Sequence, residues 1–194
     1  MKPDLGLDLF KHVFTSIVAA GCIALAPAAS ASMIPGKTPA AEIGRNSQNA
    51  LQKLYAKVPA AKAIGKEAYA VVVFPSVTKA GLGIGGQYGE GALIKGGKVV
   101  AYYSTAGASY GLQAGIQKYG YALFLMTDSA MKWIDKSDGW EIGVGPSIVV
   151  MDIGAGASAT TTTIQAEIYA FFFDQKGLMG GLGLQGTKIT RIKK

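Results

Sequence analysis

Between residues 81 and 120 the chain places 12 glycines among aromatic and aliphatic residues. In Gly81-Leu82-Gly83-Ile84-Gly85 the glycines alternate with large apolar side chains. A strand with this pattern is expected to bury Leu82 and Ile84 on one face and leave the other bare. A bare face suits close approach by another backbone, or a sharply coiled sheet. Gly89-Glu90-Gly91-Ala92-Leu93-Ile94 repeats the idea. Lys95-Gly96-Gly97-Lys98 then spells a hairpin turn, and Val99 to Tyr103 returns.

The flanking sequence extends this β reading. Tyr69-Ala70-Val71-Val72-Val73-Phe74 is β-branched and aromatic, and reads as a buried strand stopped by Pro75-Ser76. Further strands are expected at Ser109–Gln117, Tyr121–Met126, Gly145–Asp152, Ala159–Gln165, Ile168–Phe173 and Leu182–Ile192. Thr127-Asp128-Ser129 can cap a short helix, Ser129–Lys136, with Met131 and Ile134 inward. Ahead of the strands, Thr38-Pro39 reads as an N-cap followed by a first-turn proline. Ile43, Ala50, Leu51, Leu54, Tyr55 and Val58 draw one apolar stripe on the helix that follows. Pro59 ends that helix and starts a second, short one through Lys66. The expected fold is α+β: a mainly antiparallel sheet curled into a sandwich or open barrel, with N-terminal helices and one short inserted helix.

Residues 1–31 read as a secretory signal peptide. Lys2, Lys11 and His12 precede an apolar run from Val13 to Ala29, and Ala29-Ser30-Ala31 is a small-x-small cleavage pattern. A second reading takes Ala19-Ala20-Gly21-Cys22 as a lipoprotein box, with Cys22 as the lipidation site. Residues 32–39 form a linker, and 40–194 the folded domain. Either processing route places the protein in the exported space, periplasmic or bound to the cell envelope.

Cleavage after Ala31 changes the available chemistry. The chain's single Cys and single His, Cys22 and His12, are both lost with the leader. Residues 32–194 therefore offer no Cys/His zinc site, no thiol nucleophile, no imidazole base and no disulfide. No metal or cofactor is expected. The leader takes two Lys and two Asp from a total of 19 basic and 12 acidic side chains, so the net charge stays at +7.

Several segments imitate catalytic motifs. Gly81-x-Gly83-x-x-Gly86, Gly154-x-Gly156-x-x-Ala159 and Gly181-x-Gly183-x-x-Gly186 match a dinucleotide-binding pattern. That pattern works only between a strand and a helix start, and none of the three opens a good helix. Ser76-Val77-Thr78-Lys79 matches the S-x-x-K of penicillin-binding enzymes but lacks its partner motifs. Asp135, Asp138 and Glu141 are dense around Trp140, a candidate sugar platform. The expectation is a non-enzymatic protein.

The basic residues carry the positive signal. Lys53, Lys57, Lys62 and Lys66 fall at near-helical intervals around Pro59. Lys188, Arg191, Lys193 and Lys194 form a second cluster at the C-terminus. Lysines beside an apolar helical stripe suit an anionic membrane surface. Nucleic acid is not an expected partner, since export removes it and no Arg-rich reading motif is present.

The run Val71-Val72-Val73-Phe74-Pro75-Ser76-Val77-Thr78-Lys79 through Gly81-Leu82-Gly83-Ile84-Gly85-Gly86-Gln87-Tyr88-Gly89-Glu90-Gly91 resembles the opening of the SYLF lipid-binding domain family. Ser109–Gly115, Lys176-Gly177-Leu178 and Leu184-Gln185-Gly186 resemble its later signatures. Trp140–Pro146 and Gly186–Ile192 resemble its exported bacterial branch. The resemblance covers about residues 40–194, and it implies binding rather than catalysis. Its lipid-contacting N-terminal segment is similar in character to Ala40–Lys66.

The expected mechanism is peripheral binding to anionic phospholipid, with Lys53, Lys57, Lys62 and Lys66 on the headgroups. Leu51, Leu54 and Tyr55 either dip into the interface or pack on the sheet. A structural envelope protein that assembles through Gly-rich β edges is the alternative.

Overall fold

A strand of 26 residues laid straight would span about 85 Å. A domain of this size has a radius of gyration of only about 15 Å. The computed structural model meets this conflict directly, because β1 (Ala70–Lys95) and β2 (Lys98–Leu125) form one long hairpin that bends back over itself. The structure describes residues 38–136, 139–142, 144–151, 166–177 and 186–194. The expected leader, its two candidate processing sites including Cys22, residues 32–37 of the expected linker and the strand expected over Ala159–Gln165 lie outside them.

The hairpin closes as its sequence requires. Lys95 pairs with Lys98, and Gly96 and Gly97 take φ of 56° and 76°, the left-handed pair of a two-residue turn. From there the pairing runs to Ala70 opposite Leu125, with irregularities at Phe74/Val77, Leu82/Ile84 and Leu93/Ile94. Pro75 does not stop the first strand. It sits in the first of these irregularities, where a missing N–H removes no ladder bond. The strands expected over Val99–Tyr103, Ser109–Gln117 and Tyr121–Met126 are likewise one continuous strand, β2.

Glycine permits the bend. A Cβ on Gly89 would lie 2.8 Å from Ser76 O and 2.8 Å from Val77 Cγ2, and one on Gly91 would fall on Val73 O. The outgoing and returning parts of β1 therefore touch backbone to backbone. At the bend itself, a Cβ on Gly81 would strike Gly85 Cα. β2 bends in step, since the Tyr121 hydroxyl donates to Thr105 Oγ1 at 2.6 Å across 16 residues of the same strand.

The other edge of β2 takes two partners. Tyr102–Gly107 pair with β6 (Thr187–Ile192), and Gln117–Leu125 pair with β5 (Ile168–Gly177). β3 (Trp140–Glu141) joins β6, and β4 (Ile148–Met151) joins β5 in the sheet's one parallel pairing among the described residues. The result is the expected α+β architecture, a curled, mostly antiparallel half-barrel with three described helices.

Two cores follow from the two faces of the ribbon. One lies inside the fold and gathers Val72, Phe74, Leu93, Tyr103, Tyr121, Leu123 and Phe172. It is plugged by Ala130 and Ile134 of α3 (Asp128–Ile134), whose N-cap Thr127 accepts from the Ala130 amide at 3.1 Å. Polar groups inside this fold are tied together: the Tyr119 hydroxyl donates to Gln87 Oε1 at 2.8 Å, and Gln87 Nε2 donates to Thr187 Oγ1 at 2.7 Å. Burial pushes the Tyr119 phenol up to about 12, so it stays a protonated donor.

The second core lies under α1 (Ala40–Lys57) and α2 (Pro59–Glu67). Leu51, Leu54, Val58, Ala61 and Ile64 meet Val71, Val73, Phe124, Phe171 and Phe173 there. Pro59 opens α2 at its first position, as expected. The start of α1 differs: Pro39 is itself the N-cap, and no side chain caps the helix. Its first turn is held through Pro39 O, which accepts from the Glu42 and Ile43 amides.

The burial expected at the glycine-rich run is overturned as well. Leu82 is 83% exposed and Ile84 68%. Leu82 pairs with Ala114 across the ribbon, and at the bend the backbone of Gly81 closes on that of Gly85, so the two side chains stay on the outside of the turn rather than in a core.

The contact at Gly91 is testable. Gly91→Ala is expected to destabilise the fold by about 1–3 kcal/mol, because Val73 is backbone and cannot yield cheaply. Gly86→Ala, with its nearest neighbour 3.8 Å away, serves as the control with much less effect. Denaturant unfolding of both variants measures the difference.

Candidate functional site

The apolar stripe and the lysines of the N-terminal helices have separate fates. Leu51 and Leu54 are 4% and 2% exposed, so the stripe packs on the sheet. Tyr55 is half-buried, with its ring 6.2 Å from that of Phe124. Lys53, Lys57, Lys62 and Lys66 are all exposed. Within each helix the two lysines are four residues apart and share a face. Lys57 and Lys66 also sit in the last turns of their helices, where a cation opposes the helix dipole.

Lys53 and Lys57 come together at a small open pocket of about 220 Å³, lined also by Leu54, Val58, Phe173 and Asp174. Lys62 and Lys66 do not line it. The ring of Phe173 lies over Gly120, where a Cβ would collide with it, and this sets the ring's place in the pocket wall. Asp174 follows in the left-handed region, with φ of 50°. It occupies an irregular step of β5, between the pairs Gly120–Phe173 and Lys118–Lys176. Its carboxylate accepts from Lys57 Nζ at 3.5 Å. With the two side chains 71% and 47% exposed, this ion pair contributes little, about 0–1 kcal/mol. Among the described residues no ion pair engages Lys53, Lys62 or Lys66.

The C-terminal basic cluster is tied up differently. Arg191 donates to Asp135 Oδ1 at 3.2 Å, and Asp135 also accepts from the Tyr103 hydroxyl at 2.5 Å. Lys194 pairs with Glu90 at 3.2 Å and donates to Thr38 O at 2.9 Å. These contacts fasten the last strand to the ribbon and to the start of α1.

The motif look-alikes lose their mechanical context. Gly81–Gly86 lies within β1, with no helix start beside it, and Ser76 is also in that strand. The segments 154–159 and 181–185 lie outside the described residues, as does Asp138. Trp140 is 2% exposed and donates its Nε1 to Val144 O at 2.8 Å, so it is a core residue rather than an open platform. Among the described residues no three His, Cys, Asp or Glu side chains converge on one point.

Residues 106–194 match the Ysc84 family, described as Las17-binding protein actin regulators. Over this segment the chain is similar to the Ysc84, or SYLF, family. The segment takes in most of β2 together with α3 and β3 to β6. No curated protein matches the chain. The SYLF family is associated with lipid binding and with protein partners.

Sequence reasoning missed Phe173 and Asp174, which meet Lys53 and Lys57 only through the register of β5 on β2. The conformation of Asp174 is testable. Asp174→Gly removes a left-handed non-glycine residue whose conformation costs roughly 1–2 kcal/mol, against a weak exposed ion pair. The variant is expected to match or exceed the parent in thermal stability. A clear fall in Tm would show that the carboxylate holds more than Lys57.

Proposed function

We propose that the protein is an exported, non-enzymatic, lipid-binding SYLF protein that associates peripherally with anionic membrane lipid. The observation that carries this reading is the division within α1 and α2. Their apolar stripe is buried on the sheet, so the exposed faces carry Lys53, Lys57, Lys62 and Lys66, with Arg45 adding to the positive charge and Glu67 the one exposed acid of the two helices. The attraction is then electrostatic, about 1 kcal/mol for each lysine near an anionic leaflet. The +7 net charge supports approach to the same surface. The pocket beside Lys53 and Lys57 gives a headgroup one apolar wall, Phe173, and one acidic edge, Asp174.

Assembly through Gly-rich β edges is less well supported. Gly89 and Gly91 are used by the ribbon's own backbone contact, which explains them without a partner chain.

Vesicle co-sedimentation of the purified full chain tests the reading. The leader's two Lys and two Asp balance, so a preference for phosphatidylglycerol over phosphatidylcholine vesicles reports on the domain. Replacing Lys53, Lys57, Lys62 and Lys66 together by Gln is expected to lower binding to anionic vesicles roughly a hundredfold or more at low salt. Equal binding of the parent to both vesicle types would remove the charge argument. Export is checked by intact mass of the envelope-purified protein, which is expected to begin at Ser32 or at an acylated Cys22; an unprocessed Met1 form would count against it.

A further inference from the structure

Three large apolar side chains stand uncovered near the bend of the ribbon. Leu82 is 83% exposed, Ile84 68% and Ile116 62%. Register places two of them on one sheet face. Ile116 pairs with Ala80, and Leu82 lies two residues beyond Ala80. Lys118, two residues from Ile116, is on that face too, and Lys176 stands directly opposite it. Both lysines are exposed. Like charges directly opposite in a sheet repel. Among the described residues no ion pair relieves either one.

The spacing is informative. Lys118 and the Leu82–Ala114 pair are four residues apart along β2, about 13 Å. A surface-bound apolar face sinks about 5–10 Å into the boundary between headgroups and acyl chains. Lysines at the phosphate level would therefore leave Leu82 near the acyl boundary.

We infer that the bend is the element that enters the membrane: Leu82, Ile84 and Ile116 insert at the interface of an anionic bilayer, and Lys118 and Lys176 hold its phosphates. This rests on the lipid-binding reading above and assigns the insertion to the sheet, away from the helices whose stripe is buried. Charge complementarity selects the occupant. An apolar tip alone would fit any greasy partner, whereas an apolar tip behind a repelling lysine pair fits an apolar layer edged with anions.

The test uses the full chain and vesicles of phosphatidylglycerol mixed with phosphatidylcholine. Replacing Leu82, Ile84 and Ile116 by Ser is expected to lower partitioning about tenfold or more. All three are exposed, so the variant is expected to fold. In a separate variant, Ile84→Trp, fluorescence is expected to be quenched by lipids brominated in the upper acyl chain more strongly than in the parent. If the parent binds while the Ser variant binds equally well and the added Trp is not quenched, the inference fails and the lipid-binding reading survives. If the parent does not bind, the lipid-binding reading fails and takes the inference with it. If the Ser variant instead abolishes a concentration-dependent self-association seen without vesicles, the bend is an interface between copies and the inference is overturned.

Discussion

The structure depends on one contact, the approach of a strand to its own earlier backbone. Gly89 and Gly91 lie against the backbone of Val73, Ser76 and Val77 and against the side chains of Phe74 and Val77, with no room for a Cβ of their own. That contact lets two strands of 26 and 28 residues fold into a domain far shorter than their length. It also creates the inner core, since residues from both arms of the ribbon meet there only if the ribbon closes. The long second strand then has different partners along its free edge, β6 near one end and β5 near the other.

Much of this was legible because the local signals were strong. The Gly96-Gly97 turn, the break at Pro59 and the stripe from Ile43 to Val58 each rest on backbone sterics or helical period. The role of glycine as room for another backbone was also readable, and Gly89 and Gly91 fill it. What the sequence hid was continuity. Pro75 read as a strand end, and Val99–Tyr103, Ser109–Gln117 and Tyr121–Met126 as separate strands, yet irregular pairing carries β1 and β2 through without a break. Leu82 and Ile84 were misjudged for a related reason. Alternation says which side chains share a face but not whether anything covers that face, and a glycine-rich neighbourhood supplies few side chains to do so.

The candidate site divides along the same line. Lys53, Lys57, Lys62 and Lys66 could be picked out because helical spacing is local. Whether Leu51 and Leu54 faced lipid or sheet could not be decided, because the answer lies in residues more than 100 positions away, such as Phe171 and Phe173. Phe173, Asp174 and the Lys118–Lys176 pair depend on the β2–β5 register, which no single segment encodes.

Burying the helical stripe separates two functions that an amphipathic helix usually joins. The helices retain charge and surrender their apolar face to the core, while the bend retains apolar side chains that the fold leaves uncovered. Charge acts over about 10 Å in 0.1 M salt, and apolar contact only when water is displaced. On the proposed reading, lysines on the helices would act during approach, before any insertion. The bend, if it inserts as proposed, would act only after contact, and its contribution would resist salt. Such an arrangement also protects stability: lysines and exposed aliphatic groups can change without opening either core, because neither set is needed to close the ribbon.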